Sequence, residues 1–255
     1  MKFSHLSASA IQQWSTCQAA WYGKMAGWPE QRNPSFARAA ELGTAIHAAI
    51  SAHHEGADPD VALLRVWERY LSVCGDVGAD PHPLALGLSV SRLYTRTIVP
   101  EHGDRGDVRF SFPIPGVPIP VIGYVDVLAQ GGALIREIKT TQSRKNWTQT
   151  DIDSTVQGTT YWIAAQSAGI REPRLIYSIL RLHADAPEHA ETTRTDEQVD
   201  EFHGLVRGIY PLMVAMHAGE SRPTPTCPAG WCRHPERCAE LGRAIPEKLG
   251  WSTGQ

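Results

Sequence analysis

Val121-Ile-Gly-Tyr-Val-Asp126-Val-Leu-Ala-Gln-Gly-Gly-Ala-Leu-Ile-Arg-Glu137-Ile-Lys139-Thr-Thr141 decides how this chain is read. Two β-prone runs flank Gly131-Gly132, the pattern of strand, turn and strand. With the two glycines at the centre of the turn, Asp126 falls opposite Glu137 and Tyr124 opposite Lys139. Directly opposed side chains stand roughly 5 Å apart at Cβ, and like charges there repel. A divalent cation between the carboxylates removes that repulsion and gives the pairing a reason. Glu137 and Lys139 are two apart and share one face of their strand. The hairpin therefore predicts two carboxylates and an ammonium on one patch, equipment for metal-assisted attack on a phosphodiester.

The texture of the chain changes on both sides of this hairpin. Upstream, residues 7–26 read as a helix capped by Ser7 or Ser9, with Ile11, Trp14, Cys17 and Trp21 at helical spacing. Further helices are expected at about 36–54, 58–74 and 84–99, with a loop at 75–83. Residues 107–114, 119–129 and 133–140 read as strands, 151–168 as a helix, 173–183 as a strand and 195–218 as a long helix. The order predicts an α/β fold with a mixed central β-sheet flanked by helices. We expect a single domain over 1–240. It has a mainly helical part (1–106), a sheet core with helices (107–219) and a Cys-rich segment (220–240), and a tail follows at 241–255.

At 255 residues, 42% hydrophobic and 20% charged, the chain can bury one substantial core. No apolar run approaches the roughly 20 residues of a membrane span. The start, Met1-Lys-Phe-Ser-His5, lacks an apolar signal segment, so a cytoplasmic protein with no membrane partner is expected. A net charge of −3 excludes global attraction to nucleic acid and leaves only a local basic patch. The candidate is Thr140-Thr-Gln-Ser-Arg144-Lys145-Asn-Trp147. This loop could follow a single strand with Trp147 stacked on a base, or be a solvated loop with a partly buried Trp.

Five cysteines are present, and three form Cys227-x4-Cys232-x5-Cys238. Closely spaced thiols in a reducing compartment favour a metal over a disulfide. Zinc and a four-iron cluster both need a fourth ligand. Cys17 is the better candidate and His234 the local one. With Cys17, the site would clip the two ends of the chain together. Spacing alone leaves zinc and an iron–sulfur cluster equal, and Cys74 reads as an ordinary thiol. On the second helix, Gly43-Thr44-x-x-His47 places an imidazole one turn beyond a small residue. His47 is either structural or a third ligand beside Asp126 and Glu137. Gln157 and Tyr161, four apart, share a helix face. They either orient a phosphate or Lys139, or lie on a polar surface.

The ordered set Cys17, Gly43-Thr44-x-x-His47, Gly123-x-x-Asp126, Glu137-x-Lys139-Thr140, Gln157-x-x-x-Tyr161 and three terminal cysteines resembles the RecB-like branch of the PD-(D/E)XK nuclease superfamily. It is most similar to the CRISPR-associated and phage exonucleases with an iron–sulfur clasp. The resemblance spans residues 5–238 and implies a restriction-endonuclease-like core. It implies Mg²⁺ or Mn²⁺ held by His47, Asp126, Glu137 and the backbone carbonyl of Ile138. Lys139 would then position or activate the attacking water, with Gln157 and Tyr161 contacting the site or substrate. It further implies a 4Fe–4S cluster on Cys17, Cys227, Cys232 and Cys238. The cysteine spacing departs from the family, which commonly begins with C-x2-C. The implied activity is exonucleolytic hydrolysis of single-stranded DNA or DNA ends in recombination, repair or CRISPR-type processing, with a helicase or recombination protein as possible partner. Oligomers are also possible. A structure-specific endonuclease and a non-catalytic metal-containing nucleic-acid-binding module are the alternatives.

Overall fold

The computed structural model describes residues 3–30, 34–74, 82–142, 147–226 and 234–241. Its elements are α1 (Ala8–Thr16), α2 (Gln18–Met25), α3 (Pro34–His54), α4 (Pro59–Cys74), α5 (His82–Thr97), β1 (Arg105–Phe112), β2 (Val121–Ala129), β3 (Leu134–Thr141), α6 (Gln149–Asp153), α7 (Val156–Ser167), β4 (Arg174–Arg181), β5 (Glu188–Thr192) and α8 (Asp196–His217). They fall into two compact units. One comprises Pro34–Phe112 and Ile122–Val199. The other comprises Met1–Asn33, Pro113–Val121 and Asp200–Gln255.

The first unit holds a five-stranded mixed sheet in the order β1-β2-β3-β4-β5, so the expected α/β class is what the chain adopts. β3 and β4 run parallel from Leu134↔Arg174 to Thr141↔Arg181. A parallel pair needs a crossover, which α6 and α7 supply. On one face, Leu42, Ile46 and Ile50 of α3 pack with Leu63 and Trp67 of α4, Tyr94 of α5, and Val127, Ile138 and Leu180 of the sheet. On the other face, Tyr161 and Ala165 of α7 pack with Val125, Ile135, Leu175 and Tyr177.

The hairpin has the expected register: Val127↔Arg136, Leu128↔Ile135 and Ala129↔Leu134. Its turn is longer than two residues. Residues 130–132 form a 3-10 turn, with Gln130, Gly131 and Gly132 all at positive φ. The two glycines adopt that conformation without steric cost. The ladder ends at Val127↔Arg136, one pair short of Asp126 and Glu137. Val125 and Val127 are two apart, yet they pack into cores on opposite faces of the sheet. A regular strand cannot do this, so β2 changes face between them, as at a bulge. The strands thus part where the two acids sit.

A buried polar knot holds the far end of the hairpin against the helices. His54 Nδ1 lies 3.1 Å from Asp104 Oδ2 and His54 Nε2 lies 2.9 Å from the Tyr94 hydroxyl. Asp104 also accepts the backbone N–H of Glu101 and of Gln130, the first turn residue. The sheet's last strand, β5, is not expected from the sequence. Glu188-His-Ala-Glu-Thr192 has no apolar alternation, because an edge strand needs none. It is held antiparallel to β4, with Arg181–Glu188 and Arg174–Glu191 ion pairs across the strands.

Two expected helices are each broken in two. Residues 151–168 become α6 and α7, joined at Ser154 and Thr155. In the second unit, residues 7–26 become α1 and α2, because Cys17 is extended (φ −160, ψ 107). Ser15 and Thr16 bond back to the carbonyls of Ile11 and Gln12, a habit that loosens helices. The backbone groups beside the break find other partners: Thr226 Oγ1 donates to Thr16 O at 2.6 Å, and Ala19 N–H to Thr224 O at 3.2 Å. Trp14 and Trp21 meet edge-on at 4.9 Å between ring centroids, and Phe3 packs on Trp21, Tyr210 and His217. Residues 235–241, expected only as part of a Cys-rich segment, are helical.

Candidate active site

α3 crosses the carboxyl end of β3 closely because Gly43 has no side chain. A Cβ there would stand 2.9 Å from Thr140 Oγ1. One turn on, His47 Nδ1 reaches Asp126 Oδ1 at 3.1 Å. The other Asp126 oxygen accepts the Ile138 N–H at 2.7 Å. The carboxylate thus takes a backbone donor of β3 just past the end of the ladder. The glycine of Gly123-x-x-Asp126 has a packing reason: a Cβ would lie 2.4 Å from the Phe110 ring. Phe110 in turn sets its ring against the edge of Tyr161, 5.6 Å between centroids.

Glu137 is only 2% exposed, and both its oxygens are engaged. Lys139 Nζ donates to Oε1 at 2.7 Å and to Gln157 Oε1 at 2.6 Å. Gln157 Nε2 donates to the Tyr161 hydroxyl at 2.6 Å. That hydroxyl has two acceptors in reach: Glu137 Oε2 at 2.6 Å and the Tyr124 carbonyl at 3.0 Å. With the shorter bond made, Lys139, Glu137, Tyr161 and Gln157 form a closed ring. Four residues from β3 and α7 thus fix one another, and each polar atom in the ring has a partner.

The two carboxylates differ in their protonation. Burial pushes the Glu137 carboxyl up to about 7, and the charge of Asp126 adds to this against the pull of Lys139. Burial acts the same way on Asp126. There the hydrogen bond and charge of His47, the Ile138 N–H and a hydrogen bond from Glu137 outweigh it and hold Asp126 below its usual value. His47 is raised: burial alone would lower it, but Asp126 and Glu137 overcome that. Tyr161 is pushed well up by burial and then by the two carboxylates, so it remains a neutral donor. Two acids in contact that retain a proton near neutrality are a site at which a divalent cation can displace that proton. Oxygen donors from Asp126 and Glu137 with one imidazole suit Mg²⁺ or Mn²⁺. Among the described residues no three His, Cys, Asp or Glu side chains stand as a ready-made metal cage, and the Glu137 oxygens bond to Lys139 and Tyr161. In chemistry the donor set is one that such an ion takes.

The structure therefore brings together His47, Asp126, Glu137, Ile138, Lys139, Gln157 and Tyr161, with Thr140 alongside. Arg144 and Lys145 lie outside the described residues. Trp147 stacks on Tyr177 (6.5 Å between centroids, 29°) and packs against the α7-side core, which favours the partly buried alternative. The exposed aromatic beside the acids is Tyr124. Cys17 is buried in the second unit and Cys238 half-buried, while Cys227 and Cys232 lie outside the described residues. His234 Nδ1 sits 3.0 Å from the Pro29 carbonyl. Sequence reasoning missed Phe110, which packs on Tyr161, and Thr155, whose side chain caps α7. Only Thr155 left a local signal, as a capping residue ahead of a helix.

Residues 5–239 match the family model described as the PD-(D/E)XK nuclease superfamily. No curated protein matches. Among solved structures, a "Putative exonuclease" from Eubacterium rectale superposes with a TM-score of 0.62 at 13% identity, covering 93% of this chain and 88% of that one. At that identity the likeness shows the fold. A second structure, SSO0001, matches at 12% identity over 91% of this chain and 84% of its own, with a TM-score of 0.45.

Proposed function

Because this chain belongs to the PD-(D/E)XK nuclease superfamily, we propose that it is a Mg²⁺- or Mn²⁺-dependent deoxyribonuclease that removes nucleotides from single strands or DNA ends. The observation that supports this is the closed ring of Lys139, Glu137, Tyr161 and Gln157 set against the His47–Asp126 pair. His47, Asp126, Glu137 and the Ile138 carbonyl would hold the cation. When bound, the cation lowers the pKa of water and offsets charge on the phosphoryl oxygens.

The protein's own groups do the remaining work. To hold the cation, Glu137 would release its proton to solvent and exchange its bonds to Lys139 and Tyr161 for the ion. Lys139, still held by Gln157, keeps its ammonium at the place where a water attacks and where negative charge grows. Tyr161 remains a neutral donor that steadies Glu137 or, released from it, the Tyr124 carbonyl. Thr140, Arg144 and Lys145 would follow the strand. The pathway is proposed as recombination, repair or CRISPR-type DNA processing, with unwinding left to a helicase partner.

We also assign Cys17, Cys227, Cys232 and Cys238 to a 4Fe–4S cluster, with zinc as the other metal such a set could hold. The support is that Thr226 bonds to Thr16, just before Cys17, and Thr224 to Ala19, two residues after it, so the segment leading to the terminal cysteines runs beside it.

The test uses end-labelled single-stranded DNA and a covalently closed circle, each with Mn²⁺. Mononucleotide release from the linear strand alone is expected, and it is lost in Glu137→Ala and in Lys139→Ala. Cleavage of the circle would make it an endonuclease. Full activity in both variants would refute the site, and DNA binding without product would make it a binding module.

A further inference from the structure

Arg194 follows the edge strand β5. It is 5% exposed and, among the described residues, makes no ion pair. All its hydrogen bonds go to hydroxyls and carbonyls. Nε donates to Thr159 Oγ1 at 2.9 Å, and Nη1 to Thr192 Oγ1 and Thr193 O, both at 2.7 Å. Nη2 faces Ile152 O at 3.2 Å, Thr155 Oγ1 at 3.2 Å and Thr155 O at 3.3 Å. Burying a guanidinium with no carboxylate in direct contact is costly; Asp153 reaches it only through Thr192 Oγ1, which donates to Asp153 Oδ1 at 2.6 Å, and burial still outweighs the charge of Asp153.

What the fork grips is the break between α6 and α7. Ile152 O belongs to the last turn of α6. Thr155 caps α7, its Oγ1 accepting the Gly158 N–H at 3.2 Å and lying 2.7 Å from the Tyr177 hydroxyl. Gly158 is a glycine because of this grip. A Cβ there would stand 2.3 Å from Arg194 Nη2, 2.8 Å from Thr155 Oγ1 and 3.0 Å from the Tyr177 hydroxyl. Gln157 lies between Thr155 and Gly158 in the same first turn, and from there it reaches both Lys139 and Tyr161.

We propose that Arg194 is a positioning residue of the catalytic centre, fixing the start of α7 so that Gln157 meets Lys139 Nζ and the Tyr161 hydroxyl. This rests on the hydrolytic reading of Glu137 and Lys139. A small displacement of a group that aligns reacting atoms lowers turnover far more than binding.

The test compares kcat and KM per folded molecule on end-labelled single-stranded DNA with Mn²⁺. Arg194→Lys keeps the charge but loses the fork. It is expected to lower kcat by about tenfold or more with KM within about twofold. If Arg194 acts through Gln157, the Arg194→Lys/Gln157→Ala pair falls no lower than Gln157→Ala alone, within about twofold. Unchanged kcat, or a double variant as low as the product of the single losses, overturns the proposal. Should Arg194→Lys fail to fold, Thr159→Val removes the acceptor of Nε, along with the Thr159 hydroxyl's long 3.3 Å bond to Thr155 O, and is read the same way. Glu137→Ala and Lys139→Ala run beside them. Full activity in those two overturns the assignment of the catalytic site and this proposal with it, whereas their inactivity with additive Arg194 losses overturns this one alone.

Discussion

Two acidic residues facing each other do not behave alike, and the difference lies in what touches them. Asp126 is bracketed by an imidazole and a backbone N–H, and it remains charged. Glu137, buried beside that charge, is pushed from an ordinary 4.5 to about 7. In the metal-free protein Glu137 therefore retains a proton that the unfolded chain has already lost. The stability this gives is fully present below about pH 4.5 and is lost as pH rises through about 7. Glu137→Gln keeps a neutral side chain at every pH. Thermal midpoints measured in chelator from about pH 5 to 8 are thus expected to fall more steeply for the wild type than for Glu137→Gln. Parallel curves would mean that Glu137 is already ionised in the folded state. The acid pair was legible in the sequence because strand periodicity and a glycine turn set the register. The splitting of their protonation was not, since His47 comes from 79 positions upstream.

At the scale of elements, the site depends on how α3 lies on the sheet, and small residues let it lie close. Gly43 admits Thr140, and Gly106 of β1 admits Ser51: a Cβ on Gly106 would be 2.1 Å from Ser51 Oγ and 2.5 Å from its Cα. Backbone cannot step aside as a side chain can. Gly106→Ala is therefore expected to destabilise the fold by about 2–3 kcal/mol, read as a lower urea midpoint. An unchanged midpoint would show that α3 can shift on the sheet. Seven residues apart on α3, His47 and His54 each meet an aspartate. The buried His54–Asp104 pair ties the helix to the hairpin turn, and two turns away His47 arrives at Asp126. Sequence periodicity located α3, α4, α5, α8 and four strands within a few residues. It failed at Cys17, at Ser154–Thr155 and at β5. In each of these, hydrogen bonds from distant segments override or replace the local pattern.

At the scale of the whole molecule, the terminal cysteines carry the remaining proposal. Protein purified without oxygen is expected to be brown, with about four irons per chain, and to lose its colour in Cys17→Ser. Colourless protein with one zinc would assign the other metal. The matched family model runs from residue 5 to 239, so Cys17 and the three terminal cysteines all fall within it. By itself the sequence determined the α/β class and the hairpin register, and its resemblance to a nuclease family nominated His47, Asp126, Glu137, Lys139, Gln157 and Tyr161 as site candidates. Class and register follow from periods of two and 3.6 residues, which are local properties of a chain, whereas the candidates follow from what the resemblance implies. Only the tertiary structure decided that the hairpin ladder stops before the acids and that Lys139, Glu137, Tyr161 and Gln157 close into a ring. It alone decided that a buried arginine explains Gly158. Each of these depends on which atoms of remote segments compete for the same donor or the same space, and no spacing along the chain records that competition.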